Sequence, residues 1–178
     1  MGTWDGEVFS IHIAPQAAAP MQSVSEVRAV PGRGLEGDRY FAGTGFHSSK
    51  SIPGGHDITL IEIETIESLL GGAVNAAGDQ PGIRIKASDT RRNVVTSGVP
   101  LSHLVDREFW VGAVLLRGTR LSEPCKHLEE LTEPGIRSAL THRAGLRASI
   151  LNEGVIHVGD VIRPRDSRIR PERPEGCP

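Results

Sequence analysis

The sequence predicts a mainly β fold: a closed or nearly closed β-barrel of short strands with two or three short helices. Glycine (21) and proline (12) are frequent in the 178 residues. Such punctuation suits many turns and short strands more than long helices. The apolar runs are short and rich in β-branched residues, and roughly eight of them read as strands. Aromatics make up only 4% of the chain, so aliphatic side chains must build the core.

The elements follow in order. Glu7–Ile13 alternates loosely and reads as a first strand. Ala14–Gln22, with Pro15 and Pro20, is a connection, and Val24–Val30 is a second strand ended by Pro31-Gly32. Gly32, Gly34 and Gly37 then imply backbone conformations or close approaches that side chains would block. Residues 43–55 form a long loop rich in Gly, Ser and Pro, and long loops in compact domains are often functional. Ile58–Ile63 is a buried strand, and Glu64–Leu70 is a short helix stopped by Gly71-Gly72. After a turn region, Ile83–Ala87 and Asn93–Thr96 read as strands, and Leu101–Leu104 as a helical turn. Glu108–Val111 and Val114–Arg120 pair around Gly112. Pro124–Leu131 and Ile136–His142 have helical spacing. Leu146–Leu151 and Val155–Val158 form a hairpin around Asn152-Glu153-Gly154, and Val161-Ile162 opens a last strand.

A chain of this length favours one domain, expected over residues 1–163. Residues 164–178 are rich in Arg, Pro and Glu and read as a flexible tail. The formal net charge is −2. It argues against a general nucleic-acid binder, which carries excess cations to meet phosphates, yet leaves room for a local basic patch. No apolar run approaches the roughly 20 residues that span a bilayer, and no leader pattern is visible. The expected setting is cytoplasmic, with no membrane partner. The two cysteines, Cys125 and Cys177, are far apart and expected to be reduced. Cys177 lies in the tail and is expected to be incidental.

Cys125 lies in the run Leu121-Ser122-Glu123-Pro124-Cys125-Lys126-His127-Leu128. Pro124 suits a first helical position, which places Cys125 in the first turn. Unpaired N–H groups and the positive end of the helix dipole favour a thiolate there. The alternative is a buried structural thiol at a strand–helix junction. A zinc site using Cys125, His127 and one of His47, His56 or His103 lacks the paired Cys and His that such sites use. His127 does not face Cys125 if both lie on one helix; His103 and His142 are the other candidates for a Cys–His pair.

Four stretches resemble the MOSC family, the molybdenum-cofactor sulfurase C-terminal type. They are Gly34-Leu35-Glu36-Gly37-Asp38-Arg39, then Arg92-Asn93-Val94-Val95-Thr96-Ser97-Gly98-Val99, then Cys125 at the place of the family's characteristic cysteine, and finally Gly145-Leu146-Arg147 with Gly159-Asp160. They keep the family's order from about Val8 to Ile162. The resemblance implies a barrel-like fold and binding of the molybdenum cofactor, a pterin with a dithiolene and a phosphate. It implies that Cys125 either ligates molybdenum or carries sulfur as a persulfide. Pyridoxal phosphate binding is also associated with the family.

Three functions stay open on this reading. The first is a molybdenum-dependent reductase of N-hydroxylated-type substrates, fed by a separate electron-donor protein. The second is a sulfur carrier fed by a sulfur-donor protein, and the third is a non-catalytic barrel. The candidate cofactor-binding residues are Arg91, Arg92, Asn93, Thr96, Gly37, Asp38 and Arg39. Arginine forks suit phosphate, and a soft thiolate suits molybdenum. Strand alternation points neighbours to opposite faces, so one of Arg91 and Arg92 is expected to reach the ligand, with Arg92 preferred.

Overall fold

The computed structural model describes residues 4–45, 57–72 and 82–165. The strands are β1 (Gly6–Ile13), β2 (Gln22–Val24), β3 (Glu26–Val30), β4 (Gly34–Leu35), β5 (Ile58–Glu62), β6 (Val94–Ser97), β7 (Glu108–Val111), β8 (Val114–Leu121), β9 (Leu146–Ile150), β10 (Gly154–His157) and β11 (Val161–Pro164). The helices are α1 (Ile63–Leu70), α2 (Lys126–Leu131) and α3 (Ile136–Ala139), with single 3-10 turns at Ala87–Thr90 and Leu101–Leu104.

Seven strands close on themselves in the order β1-β11-β7-β8-β9-β5-β6, and β6 returns to β1. Closure leaves those seven strands no bare ladder for another chain to pair with. The seam at β1–β11 is short, Gly6 opposite Ile162 and Glu7 opposite Val161. Further along β1, β2 pairs with Ile11–Ile13. Every barrel pairing is antiparallel except β5–β6. A parallel pair needs a crossover, and α1 with the segment up to Asn93 provides it. A small sheet, β10-β3-β4, packs beside the barrel.

Val8, Ile11, Leu60, Val94, Phe109, Leu116, Leu146 and Ile162 belong to the main core cluster. Leu69, Ile83, Leu128, Ile136 and Leu140 form a second cluster that joins α1, α2 and α3, and Ile61, Ile66 and Val95 join α1 to β5 and β6. β5 is therefore buried on both faces, Ile58, Thr59, Leu60 and Ile61 alike. That is why it reads as an unbroken apolar run rather than an alternating one.

Several expectations change. Leu146–Leu151 and Val155–Val158 do not pair with each other. β9 lies between β5 and β8, while β10 joins β3. Asn152 sends the chain elsewhere: its Oδ1 accepts from Leu115 N at 2.6 Å and its Nδ2 donates to Ala113 O at 3.1 Å. Val24–Val30 is broken at Ser25, because its halves serve different sheets. Ile83–Ala87 is not a strand. Ile83 packs among the helices and donates its N–H to Leu69 O at 2.8 Å, which leaves no ladder to join. Pro164 stays in β11, opposite Phe109. Arg165, also in the expected tail, donates its N–H to Glu108 O at 3.1 Å. Residues 166–178, and residues 46–55 of the expected loop with His47 and Lys50, lie outside the described residues, as does His56.

Gly145 sits where β9 begins, at φ +96°. A Cβ there would collide with the Leu60 carbonyl on β5. Gly145→Ala should therefore destabilise the fold by about 3 kcal/mol or more, through strain and a backbone clash together. Gly159→Ala, at φ +87° but facing open space, should cost only about 1 kcal/mol. Chemical unfolding of both variants checks the contrast.

His12 is buried in β1, with Nε2 2.8 Å from Ser10 Oγ and Nδ1 3.1 Å from Ser23 Oγ. Burial pushes its pKa below the ordinary 6.5. The unfolded chain then takes up a proton near 6.5 that the folded chain refuses, so stability falls as the pH drops through that value. Acidification from pH 7.5 to 5.5 should cost the wild type more stability than His12→Gln, read by urea midpoints at each pH.

Candidate functional site

One cavity, of about 410 Å³, opens where several strand ends and loops meet. Its wall contains Arg39 and Tyr40 after β4, Thr59 of β5, and Arg91 and Arg92 ahead of β6. It also contains Arg120 and Leu121 of β8, Glu123, Pro124 and Cys125 of the following linker, His127 and Leu128 of α2, and Arg147 of β9. Among the described residues five arginines thus share the wall with a single carboxylate, Glu123. A site of that charge suits an anionic ligand.

Arg92 is 8% exposed. Its Nε donates to Ala144 O at 2.8 Å and its Nη2 to Ser122 O at 2.9 Å. Ser122 N in turn donates to Gly145 O at 2.8 Å. One guanidinium therefore fixes the exit of β8 against the entry of β9. Burial pulls Arg92 down to about 10; Arg147 pushes the same way, and the Cys125 sulfur, when charged, opposes it.

Arg91 caps the 3-10 turn in the left-handed region, at φ 58°. Its Nη1 donates to Ala19 O at 2.8 Å, and its Nη2 is buried with no hydrogen-bond partner among the described residues. Burial lowers its pKa, and Arg39 adds to the effect. Arg91 and Arg92 both line the cavity. The alternation that separated them does not apply, because both precede the strand.

Asp38 organises the Arg39 loop. Its Oδ1 accepts from Ala14 N at 3.0 Å and from Arg39 Nη1 at 3.0 Å, and its Oδ2 from Tyr40 N at 3.3 Å. Arg39 donates from Nη2 to Arg91 O at 3.2 Å and lies over the Tyr40 ring. Asp38 is 2% exposed and lies outside the cavity lining; it positions Arg39. Gly37, at φ +86°, turns the chain and is not part of the wall.

Asn93 and Thr96 also lie outside the wall. Asn93 Oδ1 accepts from Thr59 Oγ1 at 2.9 Å, and its Nδ2 donates to His12 O at 3.2 Å. Thr96 Oγ1 donates to Ile61 O at 3.4 Å. Both are fully buried and tie the barrel strands together.

Cys125 is free and exposed on the cavity wall, which removes the buried-thiol alternative. It is the N-cap of α2, extended at φ −118°, rather than a first-turn residue. Because it lies outside the helix, the i,i+2 argument against His127 lapses, and both line the cavity. Glu123 Oε1 is 3.1 Å from His142 Nδ1, and its Oε2 accepts from His142 N at 2.9 Å. Among the described residues no group of three or more His, Cys, Asp or Glu can hold a metal ion, so a zinc centre of Cys125, His127 and His103 does not form. His47 and His56 lie outside the described residues. Among the described residues no lysine is in the cavity wall; Lys50 lies outside them.

The family model of the MOSC domain matches residues 62–163. The chain belongs to the MOSC domain family. The match covers Arg91, Arg92, Cys125 and Arg147 of the cavity; Arg39 and Tyr40 precede it. Among solved structures, this MOSC domain is similar to the YUAD protein from Bacillus subtilis, with TM-score 0.68 and 18% identity over 90% of this chain and 97% of that one. YiiM from Geobacillus stearothermophilus gives 0.63 and 14%, over 90% and 75%. YiiM from Escherichia coli gives 0.60 and 15%, over 93% and 70%. These likenesses show the shared fold. No curated protein matches the chain.

Arg92→Met should destabilise this MOSC domain by about 3 kcal/mol, since two buried carbonyls lose a charged donor. Arg91→Met, which gives up one carbonyl contact, should cost clearly less. Thermal unfolding of both variants tests the difference.

Proposed function

We propose that this MOSC domain binds the molybdenum cofactor in the arginine-lined cavity. Cys125 is the protein ligand to the metal, and the substrates reduced are of the N-hydroxylated type. One observation carries the reading: among the described residues a free, exposed cysteine shares a cavity wall with five arginines and one carboxylate. The donor set fits the group. The thiol is a soft ligand suited to molybdenum. Arg91 Nη2, buried without a partner among the described residues, is a donor suited to an acceptor such as a phosphate oxygen.

When bound, the cofactor supplies two-electron redox chemistry at the metal. The chain supplies the rest. Arg39, Arg91 and Arg92 hold negative charge against the inner wall, and Arg92 keeps the Ser122–Cys125 segment in place. Leu121 and Leu128 give the wall apolar surface. The electrons come from a separate donor protein. Among the described residues no helix is long and apolar enough to cross a membrane; the cytoplasm is the proposed setting.

The exposure of Cys125 favours a second reading, a sulfur carrier. A donor persulfide would pass its outer sulfur to the Cys125 thiolate, with the donor leaving as a thiolate. That transfer needs a thiol another protein can reach.

Protein from a host that makes the cofactor should carry molybdenum and release a fluorescent pterin on oxidation. Cys125→Ser should lose most of its molybdenum. Absence of both pterin and metal from the wild type would sink the cofactor reading. Cyanide-releasable sulfur present in the wild type and missing from Cys125→Ser would then select the carrier. Absence of that as well would leave a non-catalytic barrel.

A further inference from the structure

Arg120 and Arg147 are direct cross-strand partners on β8 and β9. Both line the cavity that holds Cys125. Like charges directly opposite each other destabilise a sheet, so the pairing calls for a reason. It is produced by an irregularity: Gly118 lies opposite Ala148, and Arg120, not Thr119, lies opposite Arg147. In a regular ladder Thr119 would face Arg147, and Arg120 would face Leu146. One extra residue in β8 brings the two cations together. The bulge is held in place, because Thr119 Oγ1 donates to Arg147 O at 3.0 Å. Bulges of this kind re-aim side chains beside functional sites.

We propose that Arg120 and Arg147 form an oxyanion clamp for the substrate of this site, so that the substrate class carries a carboxylate, phosphate or sulfonate group near its reacting centre. The proposal rests on the cavity being a reaction site, as argued above. Arg120 is exposed, and among the described residues it makes no ion pair with a carboxylate. Arg147 is half-buried, and burial lowers its pKa, with Arg120 adding to the effect and Tyr40 and Cys125 opposing it. An anion between the two forks would relieve their repulsion and accept paired N–H donors.

The test compares two alkylating reagents on Cys125 in cofactor-free protein, with Cys177→Ser to leave one thiol. Iodoacetate is anionic and iodoacetamide neutral, and both lose iodide as the C–S bond forms. Their rate ratio cancels any change in thiolate fraction. The ratio should fall about fivefold in R120Q and again in R147Q, as expected for removal of a nearby unit charge. R117Q, the same charge change at an exposed β8 position outside the cavity wall, should leave it unchanged. Inorganic sulfate should slow iodoacetate in the wild type and not in the double variant.

An unchanged ratio in R120Q and R147Q would overturn the clamp, as would an equal fall in R117Q. Arg120 is exposed, so R120Q decides the matter should R147Q fail to fold. Pterin retention in cofactor-loaded R120Q and R147Q separates the two sources of an oxyanion. Retention equal to wild type supports a substrate clamp, and loss would assign the pair to the cofactor's phosphate instead. Should no form of the protein carry a pterin, the cofactor reading fails while the alkylation ratio still decides the clamp.

Discussion

The site depends on one buried cation. Arg92 donates to the carbonyls of Ser122 and Ala144, two points far apart in sequence that bound the excursion through α2 and α3. An isolated charge placed there would be expensive, and the lowered pKa of Arg92 records that burial. The carbonyls, and the Cys125 sulfur when charged, offset it. With that anchor, the linker carrying Cys125 lies beside the entry of β9 that carries Arg147. Without it, two carbonyls would lose their donors and the linker would lose its tie to the barrel.

Electrostatics then follows from topology. Barrel closure brings the end of β8, the start of β9 and the approach to β6 to one rim. The loop after β4 is tied to the same rim by Asp38 through Ala14 N. Each contributes arginine. In water these charges would be well screened; gathered on one wall, with Arg39 and Arg92 buried and Arg91 and Arg147 half-buried, they raise one another's free energy. A cavity that keeps such repulsion in its resting form is suited to an anion. Cys125 adds an exposed thiol to the same wall.

Much of this was legible in the chain itself. β5 stood out because burial on both faces leaves a continuous apolar run. The 3-10 turn at Leu101–Leu104 and the β7–β8 pair around Gly112 were marked by local chemistry alone. Cys125, Arg91, Arg92 and Arg39 were singled out and share one cavity. Gly37, Asp38, Asn93 and Thr96 were singled out too, and they position or brace instead, since a buried polar side chain satisfied by backbone looks the same in sequence as one that meets a ligand. Tyr40 went unmarked; Arg120 went unmarked too, and Arg147 stood in a quoted motif without being singled out as a site residue, because an arginine in a strand reads as a solvated face. The Asn152 segment misled for a related reason: a turn-forming residue signals that the chain changes direction, not which strand it meets next.

The sequence by itself determined that this is a mainly β domain of the MOSC type, with short strands, a cysteine shortly after a strand and arginines in three motifs. Periodicity, turn residues and motif order are local, and local physics carries them. Only the tertiary structure decided that β10 leaves the barrel for β3, that Cys125 caps α2 in the open, and that a one-residue bulge sets Arg120 against Arg147. Those outcomes rest on register and closure, which are settled by contacts between segments distant in the chain and leave no periodic trace within any one of them.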